Sequence, residues 1–282
     1  MQIFNRATPL QKEITQLKRM GKKIGFVPTM GALHKGHISL INESIQSCDI
    51  TIVSIFVNPT QFSPNEDFDA YPRPSDADQA ILEALNVDYL FMPSVSEMYP
   101  TDLSLTTQVI VPKLSFQYCA ETRPAIFTGA TTVVCRLLNI CQADIAYFGE
   151  KDFQQFVIIQ QMAEDLFIPT KIKACPIIRE KNGLAMSSRN QYFSSEEREE
   201  ASIIYHAMQL ALSLFKKKLV LARDLKTAME EYIKNNSSIR IAYIAIIDSE
   251  SLKEVETVES ENRILFAGYL NKVRLIDNIK IQ

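Results

Sequence analysis

Between residues 22 and 178, short apolar runs recur with stretches of roughly ten to fifteen residues at helical spacing between them, and this alternation restricts the fold more than any other feature. The runs are KKIGFVP, ITIVSIFV, DYLFMP, DIAYF and KIKACPII. Their apolar residues are continuous rather than alternating, which is the pattern of strands buried on both faces. Ile38, Ile41 and Ile45 place a helix over 37–48, and similar patterns fall over 75–85, 131–140 and 152–166. Thr8-Pro9 followed by Leu10, Ile14 and Leu17 reads as a capped amphipathic helix before the first run. A β-loop-α-β series of this kind predicts an α/β domain: a parallel sheet covered on both faces, with ligands at the carboxyl ends of the strands.

The pattern changes after the loop REKNGLAMSSRNQYFS. Two polar-rich helices, about 195–216 and 223–235, precede the strand-like RIAYIAIID, RILFAGYL and VRLIDNIKI. This is a smaller α+β unit, and the boundary near Ile177 divides the chain into 1–177 and 178–282. Lys216, Lys217 and Lys218 read as a solvated helix end. His206, alone on a mostly apolar helix, reads as a structural core or boundary residue.

A chain of 282 residues can bury two such cores. Its formal net charge of −3 supplies no basic field for a polyanion, so no nucleic-acid partner is expected. No apolar run approaches the roughly 20 residues of a membrane helix, and the N-terminus lacks a signal-peptide core. No membrane association and a cytoplasmic location are therefore expected. Five cysteines, an odd number without CxxC spacing, are expected to be reduced and mostly buried.

Four segments at strand ends carry the chemistry. The first, PTMGALHKGH (28–37), joins a buried strand to a helix. Gly31 and Gly36 allow close backbone approach, and the helix entry offers N–H groups and a positive dipole end to a phosphate. His34 and His37, three apart, can aim two imidazole donors at one phosphate chain. The alternative is that they simply cap the helix. A zinc site through HxxH is disfavoured, because no Glu follows the first His and no third ligand stands out.

The second segment, FVNPTQF (56–62), offers Asn58 and Gln61 as carboxyamide readers of hydroxyl and carboxylate groups, against a plain Asn-Pro turn. In the third, FGEKDFQQ (148–155), Lys151 supplies a mobile cation. Asp152 either holds ribose hydroxyls or caps the next helix, and Gln155 follows one turn later. In the fourth, GLAMSSRN (183–190), two hydroxyls and Arg189 form a clamp able to close over a triphosphate, against a plain Ser-rich linker. The first and fourth together resemble the HxGH and Ser/Lys/Arg-loop pair of the nucleotidyltransferase superfamily.

The full wording of all four segments is more specific and resembles the signatures of the pantothenate synthetase family over nearly the whole chain. That resemblance implies a Rossmann-like nucleotidyltransferase domain, a smaller C-terminal domain that closes over the active site, Mg²⁺-ATP as cosubstrate and a homodimer. It implies ATP-dependent joining of pantoate to β-alanine through a pantoyl-adenylate. The ATP site is implied at Met30, Gly31, Ala32, Leu33, His34, Lys35, Gly36 and His37; at Gly149, Glu150, Lys151 and Asp152; and at Ile178, Met186, Ser187, Ser188 and Arg189.

By the same resemblance Gln61 contacts both pantoate and β-alanine, Gln155 contacts pantoate, and His37 is a proton donor. His34, His37, Lys151 and Arg189 are the expected catalytic groups. Two places depart from the family pattern. Ile126 stands where a His is usual, with Arg123 retained nearby as a substrate-site residue. The carboxylate pair after YPR reduces to Asp76 and Asp78 around Ala77, which leaves Asp78 as the metal-contact candidate.

Overall fold

The computed structural model describes residues 1–62 and 68–282. The chain divides into two compact units: residues 1–149 with 155–175, and residues 150–154 with 176–282. A single cut near Ile177 differs from this division in one respect that matters below, because the short segment Glu150–Gln154 groups with the C-terminal unit.

The first unit is a six-stranded, wholly parallel sheet. Its strands are β1 (Gln2–Phe4), β2 (Ile24–Thr29), β3 (Ile50–Ile55), β4 (Tyr89–Phe91), β5 (Ile145–Gly149) and β6 (Lys171–Cys175), in spatial order β1-β4-β3-β2-β5-β6. The helices are α1 (Ala7–Arg19), α2 (Lys35–Ser47), α3 (Ser75–Ala84), α4 (Val95–Met98), α5 (Cys119–Thr122), α6 (Ile126–Cys141) and α7 (Phe153–Asp165). β2 is buried along its length apart from a half-buried Pro28, as its unbroken apolar sequence requires. One core cluster packs Val27, Leu40, Ile41, Val53, Leu82 and Leu90, and each such side chain contributes about 1.5–3 kcal/mol when fully withdrawn from water. Strand order reverses between β2 and β5, so a crevice opens outside their carboxyl ends. PTMGALHKGH begins with the last two residues of β2 and leaves its carboxyl end, and Gly149 ends β5.

Local boundaries depart from the pattern reading where capping or tertiary contacts decide. α1 starts at Ala7 on Arg6 without a side-chain cap, so Thr8 does not cap it. α2 begins at Lys35, two residues before His37, because His34 is its N-cap. α6 extends from Ile126 rather than Thr131, burying ten side chains or glycine positions. β1, only three residues long, is too short to be legible by periodicity.

The second unit pairs antiparallel β7 (Arg240–Ile247), β8 (Arg263–Leu270) and β9 (Val273–Lys280) with helices α8 (Ser195–Ala201), α9 (Ile203–Lys216) and α10 (Ala222–Asn236). The stretch expected as one helix over 195–216 breaks at Ser202, whose hydroxyl donates to the Glu199 carbonyl. Leu225, Met229, Ile233, Ile244, Ile246, Ile264 and Phe266 form its core. His206 is exposed on α9, a correction to its reading as a core or boundary residue, since the apolar stripe of that helix passes through Ile204, Ala207, Met208 and Ala211 instead. All five cysteines are free thiols, with Cys119, Cys141 and Cys175 buried. Among the described residues no helix is long and apolar enough to cross a membrane.

Candidate functional site

The loop between β2 and α2 takes its shape from two consecutive residues with positive φ, Gly31 (+80°) and Ala32 (+51°). Glycine accepts this conformation freely, whereas alanine costs on the order of 1 kcal/mol and needs support. The support is Asp78, on α3. Its two carboxylate oxygens accept from the Ala32 and Leu33 N–H groups, each at 2.8 Å. Asp78 is only 2% exposed, and a Cβ at position 31 would come within 3.0 Å of its oxygen. Burial raises its pKa above the ordinary carboxylate range, while the two N–H bonds pull it back down.

Asp78, the metal-contact candidate, thus has each oxygen engaged by one loop N–H. Most of the loop's amides have protein partners. Gly31 N–H donates to Thr29 Oγ1, Ala32 and Leu33 to Asp78, His34 to His37 Nδ1 and Gly36 to His34 Nδ1.

The two histidines take the capping role that the sequence sets against phosphate contact. They form a reciprocal cap at the start of α2, with rings 4.1 Å apart and tilted by 32°. An Nδ1 that accepts from a backbone N–H carries no proton in that state, so each neutral ring bears its proton on Nε2. Capping therefore fixes the tautomer and sets both Nε2–H edges as donors. Met30 and Lys35 flank this cap, half-buried and exposed respectively.

At the end of β3, Asn58 is 1% exposed and its amide is fully engaged. Nδ2 donates to Gln61 Oε1 (2.9 Å) and to the Gly129 carbonyl (3.2 Å), while Oδ1 accepts from Tyr99 Oη (2.8 Å) and Thr60 Oγ1 (2.9 Å). Asn58, expected as a carboxyamide reader, thus spends its amide on protein partners and supports the turn that carries Gln61. Gln61 is half-buried and held twice more, through its N–H to the Asn58 carbonyl and through its carbonyl to Arg123 Nη2 at 2.9 Å. Arg123 therefore anchors the turn that carries Gln61. Burial raises the pKa of Tyr99, so it remains a neutral donor. Arg136 stacks over the Tyr99 ring at 4.6 Å. Ile126 opens α6, three residues beyond Arg123. A separate cavity of about 530 Å³, lined among others by Glu97, Leu105, Thr107 and Arg136, contains none of the expected site residues.

Gly149 closes β5, and Gln155 lies half-buried in the first turn of α7, both in the sheet unit. Glu150, Lys151 and Asp152 form a single 3-10 turn, with Asp152 exposed at its end. The Glu150 carboxylate lies 3.5 Å from Arg263 Nη1, so its side chain is paired within the C-terminal unit.

The segment carrying Ile178, Met186, Ser187, Ser188 and Arg189 is a folded hairpin and not a plain linker. Arg179 bridges Ala185, Met186 N–H donates to the Ile178 carbonyl, and Ser187 Oγ caps the 3-10 turn Ser188–Tyr192 by accepting from Arg189 N–H. Asn190, 4% exposed, donates to Glu180 and to the Ala185 carbonyl. Arg179 is anchored bidentately by Asp277, at 2.6 and 2.9 Å. Sequence reasoning missed the loop-holding bonds of Asp78, and Tyr99, Asn278 and Arg263 altogether, because each acts through a partner far away in the chain.

A wholly parallel sheet whose order reverses at β2, with a histidine-capped helix starting there and a small antiparallel unit after it, defines a Rossmann-like α/β protein of the nucleotide-binding class. Residues 2–280 match the pantoate-beta-alanine ligase family, and the chain belongs to that family. It is 48% identical over 272 residues to a pantothenate synthetase of Caldicellulosiruptor bescii, covering 96% of each chain. Among solved structures, the pantothenate synthetase of Thermus thermophilus is 35% identical with a TM-score of 0.93, covering 100% of this chain and 99% of its own. The pantoate-beta-alanine ligase of Francisella tularensis, solved with beta-gamma ATP and beta-alanine, is 38% identical with a TM-score of 0.81, covering 99% and 97%.

Proposed function

We propose that this protein is an ATP-dependent, AMP-forming carbon–nitrogen ligase that condenses pantoate with β-alanine and releases diphosphate. Family membership over residues 2–280 carries this reading, and the histidine-capped loop at the strand-order reversal supports its mechanism. In the first step the pantoate carboxylate attacks the α-phosphorus of ATP, displacing diphosphate and forming pantoyl-adenylate. Negative charge gathers on the phosphoryl oxygens and the leaving group, so the protein's task is preorganised neutralisation. His34 and His37 are the imidazole donors for that charge, with Lys151 and Arg189 as cations. His37 is the proton donor.

In the second step the neutral amine of β-alanine attacks the acyl carbon, AMP departs and the amide forms. Gln61 aligns the amine with the acyl group, Gln155 holds pantoate, and their contribution is orientation. The adenylate is a mixed anhydride that water would hydrolyse, so shielding from solvent is part of the chemistry. Mg²⁺ would enter with ATP and add charge neutralisation at the phosphates, with Asp78 the metal-contact candidate beside the loop.

The working form is a homodimer in the cytoplasm. Exposed apolar side chains on the sheet unit, Leu105, Ile110 and Phe116 among them, supply surface for a second copy, and five free thiols suit a reducing compartment. Incubation with ATP, pantoate and β-alanine, each omitted in turn while AMP is followed, tests the reading. AMP release that requires all three substrates supports ligation, and equal release without pantoate rejects it.

A further inference from the structure

We infer that Asn278, on β9, is a positioning residue for Lys151, fixing the root of that lysine to the C-terminal sheet. The inference rests on the reading that Lys151 meets the nucleotide's phosphates. Asn278 is 1% exposed and lies 127 positions from Lys151 in sequence. Its Nδ2 donates to two successive carbonyls, those of Glu150 (2.8 Å) and Lys151 (3.0 Å). Its Oδ1 accepts from Arg263 Nη1 at 2.5 Å. These partners leave no choice of amide orientation, since carbonyls can only accept and a guanidinium can only donate.

Arg263, on β8 and 4% exposed, completes the clamp. It lies over the Phe153 ring at 3.9 Å and faces the Glu150 carboxylate at 3.5 Å. The residues on either side of Lys151 are thus gripped from β8 and β9, by backbone, by charge and by ring contact. A three-residue 3-10 turn has few bonds of its own to hold a shape. A lysine side chain is long and flexible, so the location of its ammonium depends on how firmly its backbone is held. In the Lys151 turn that firmness comes from β9, and the grouping of residues 150–154 with the C-terminal unit has the same origin.

The test is a double-mutant cycle on the adenylation half-reaction, with diphosphate release followed from ATP and pantoate alone. Asn278→Asp keeps an oxygen for Arg263 but turns a carboxylate toward the two carbonyls. We expect adenylation to fall about 10- to 100-fold with a raised KM for ATP, the scale of a slightly misplaced group, while KM for β-alanine in the full reaction stays unchanged. In the Lys151→Ala background the same change should have no further effect, because its target is already gone. Asn278→Ser, which retains one donor, serves if the aspartate variant does not fold and should give a smaller loss of the same kind. Losses that multiply in the double variant, or an Asn278 variant with unaltered ATP kinetics, overturn the inference. A Lys151→Ala enzyme of normal rate instead removes the phosphate role of Lys151 and the inference with it.

Discussion

The side-chain amide of Asn58 donates to the side-chain carbonyl of Gln61 across 2.9 Å, and this one bond fixes which end of the Gln61 amide faces Asn58. Because Oε1 is taken, Gln61 presents its NH₂ group. The orientation is inherited in turn from the Gly129 carbonyl, which can only accept and so keeps Asn58 Nδ2 toward it, while the Tyr99 hydroxyl donates to Asn58 Oδ1.

Asn58→Asp places a carboxylate oxygen against Gln61 Oε1 and should reverse or disorder the Gln61 amide. The predicted loss in kcat/KM for pantoate and β-alanine is roughly 10²-fold, with about 1–3 kcal/mol of stability lost at a site so buried. Tyr99→Phe removes the hydroxyl's bonds to Asn58 Oδ1 and Thr60 Oγ1 and should cost about 1 kcal/mol. Steady-state kinetics and denaturant unfolding of both variants check this. Full activity in Asn58→Asp would mean that Gln61 is aligned by something else.

His37→Ala should lower adenylation about 10²- to 10⁴-fold, the range of a positioned acid or charge stabiliser. It should also cost about 1 kcal/mol of stability, since the ring caps the His34 N–H. Rapid-quench measurement of diphosphate release separates the two effects. Near-normal release would leave the histidine a purely structural role.

Asp78 couples the loop to pH. Its folded pKa is raised, so the folded protein binds a proton more readily than the unfolded chain between the ordinary value of 3.8 and the folded value. Through that window the native state holds more protons, and global stability falls as pH rises. Protonation nevertheless removes an acceptor from the Ala32 or Leu33 N–H, so activity should drop on acidification before the fold does. Asp78→Asn should flatten this part of the stability profile and be slow at every pH. Unfolding free energies and adenylation rates of both proteins across the acid range test it, and superimposable profiles would refute it.

Gly129→Ala should damage the Gln61 turn without touching it chemically. A Cβ there would lie 2.3 Å from the Thr60 carbonyl oxygen, which is backbone and cannot swing aside. Overpacking of this kind costs about 1–3 kcal/mol, and KM for the acid or amine substrate should rise as the turn shifts. Calorimetry with steady-state kinetics reports both.

What could be read from the chain without coordinates was whatever depends on near neighbours. Unbroken apolar runs such as IGFVPT specify doubly buried strands, and a Gly-rich, two-histidine segment between strand and helix marks a capped helix entry, because burial pattern and capping are decided within a few residues. The supports of the same site were invisible. Asp78 reaches back 46 positions to Ala32, Tyr99 41 to Asn58, and Asn278 128 to Glu150. No periodicity links such pairs. Their meeting depends on strand order and on which face of each helix packs inward, so composition and spacing supplied the groups that could do the chemistry, and only tertiary packing decided which of them are free to act and which are spent holding the others in place.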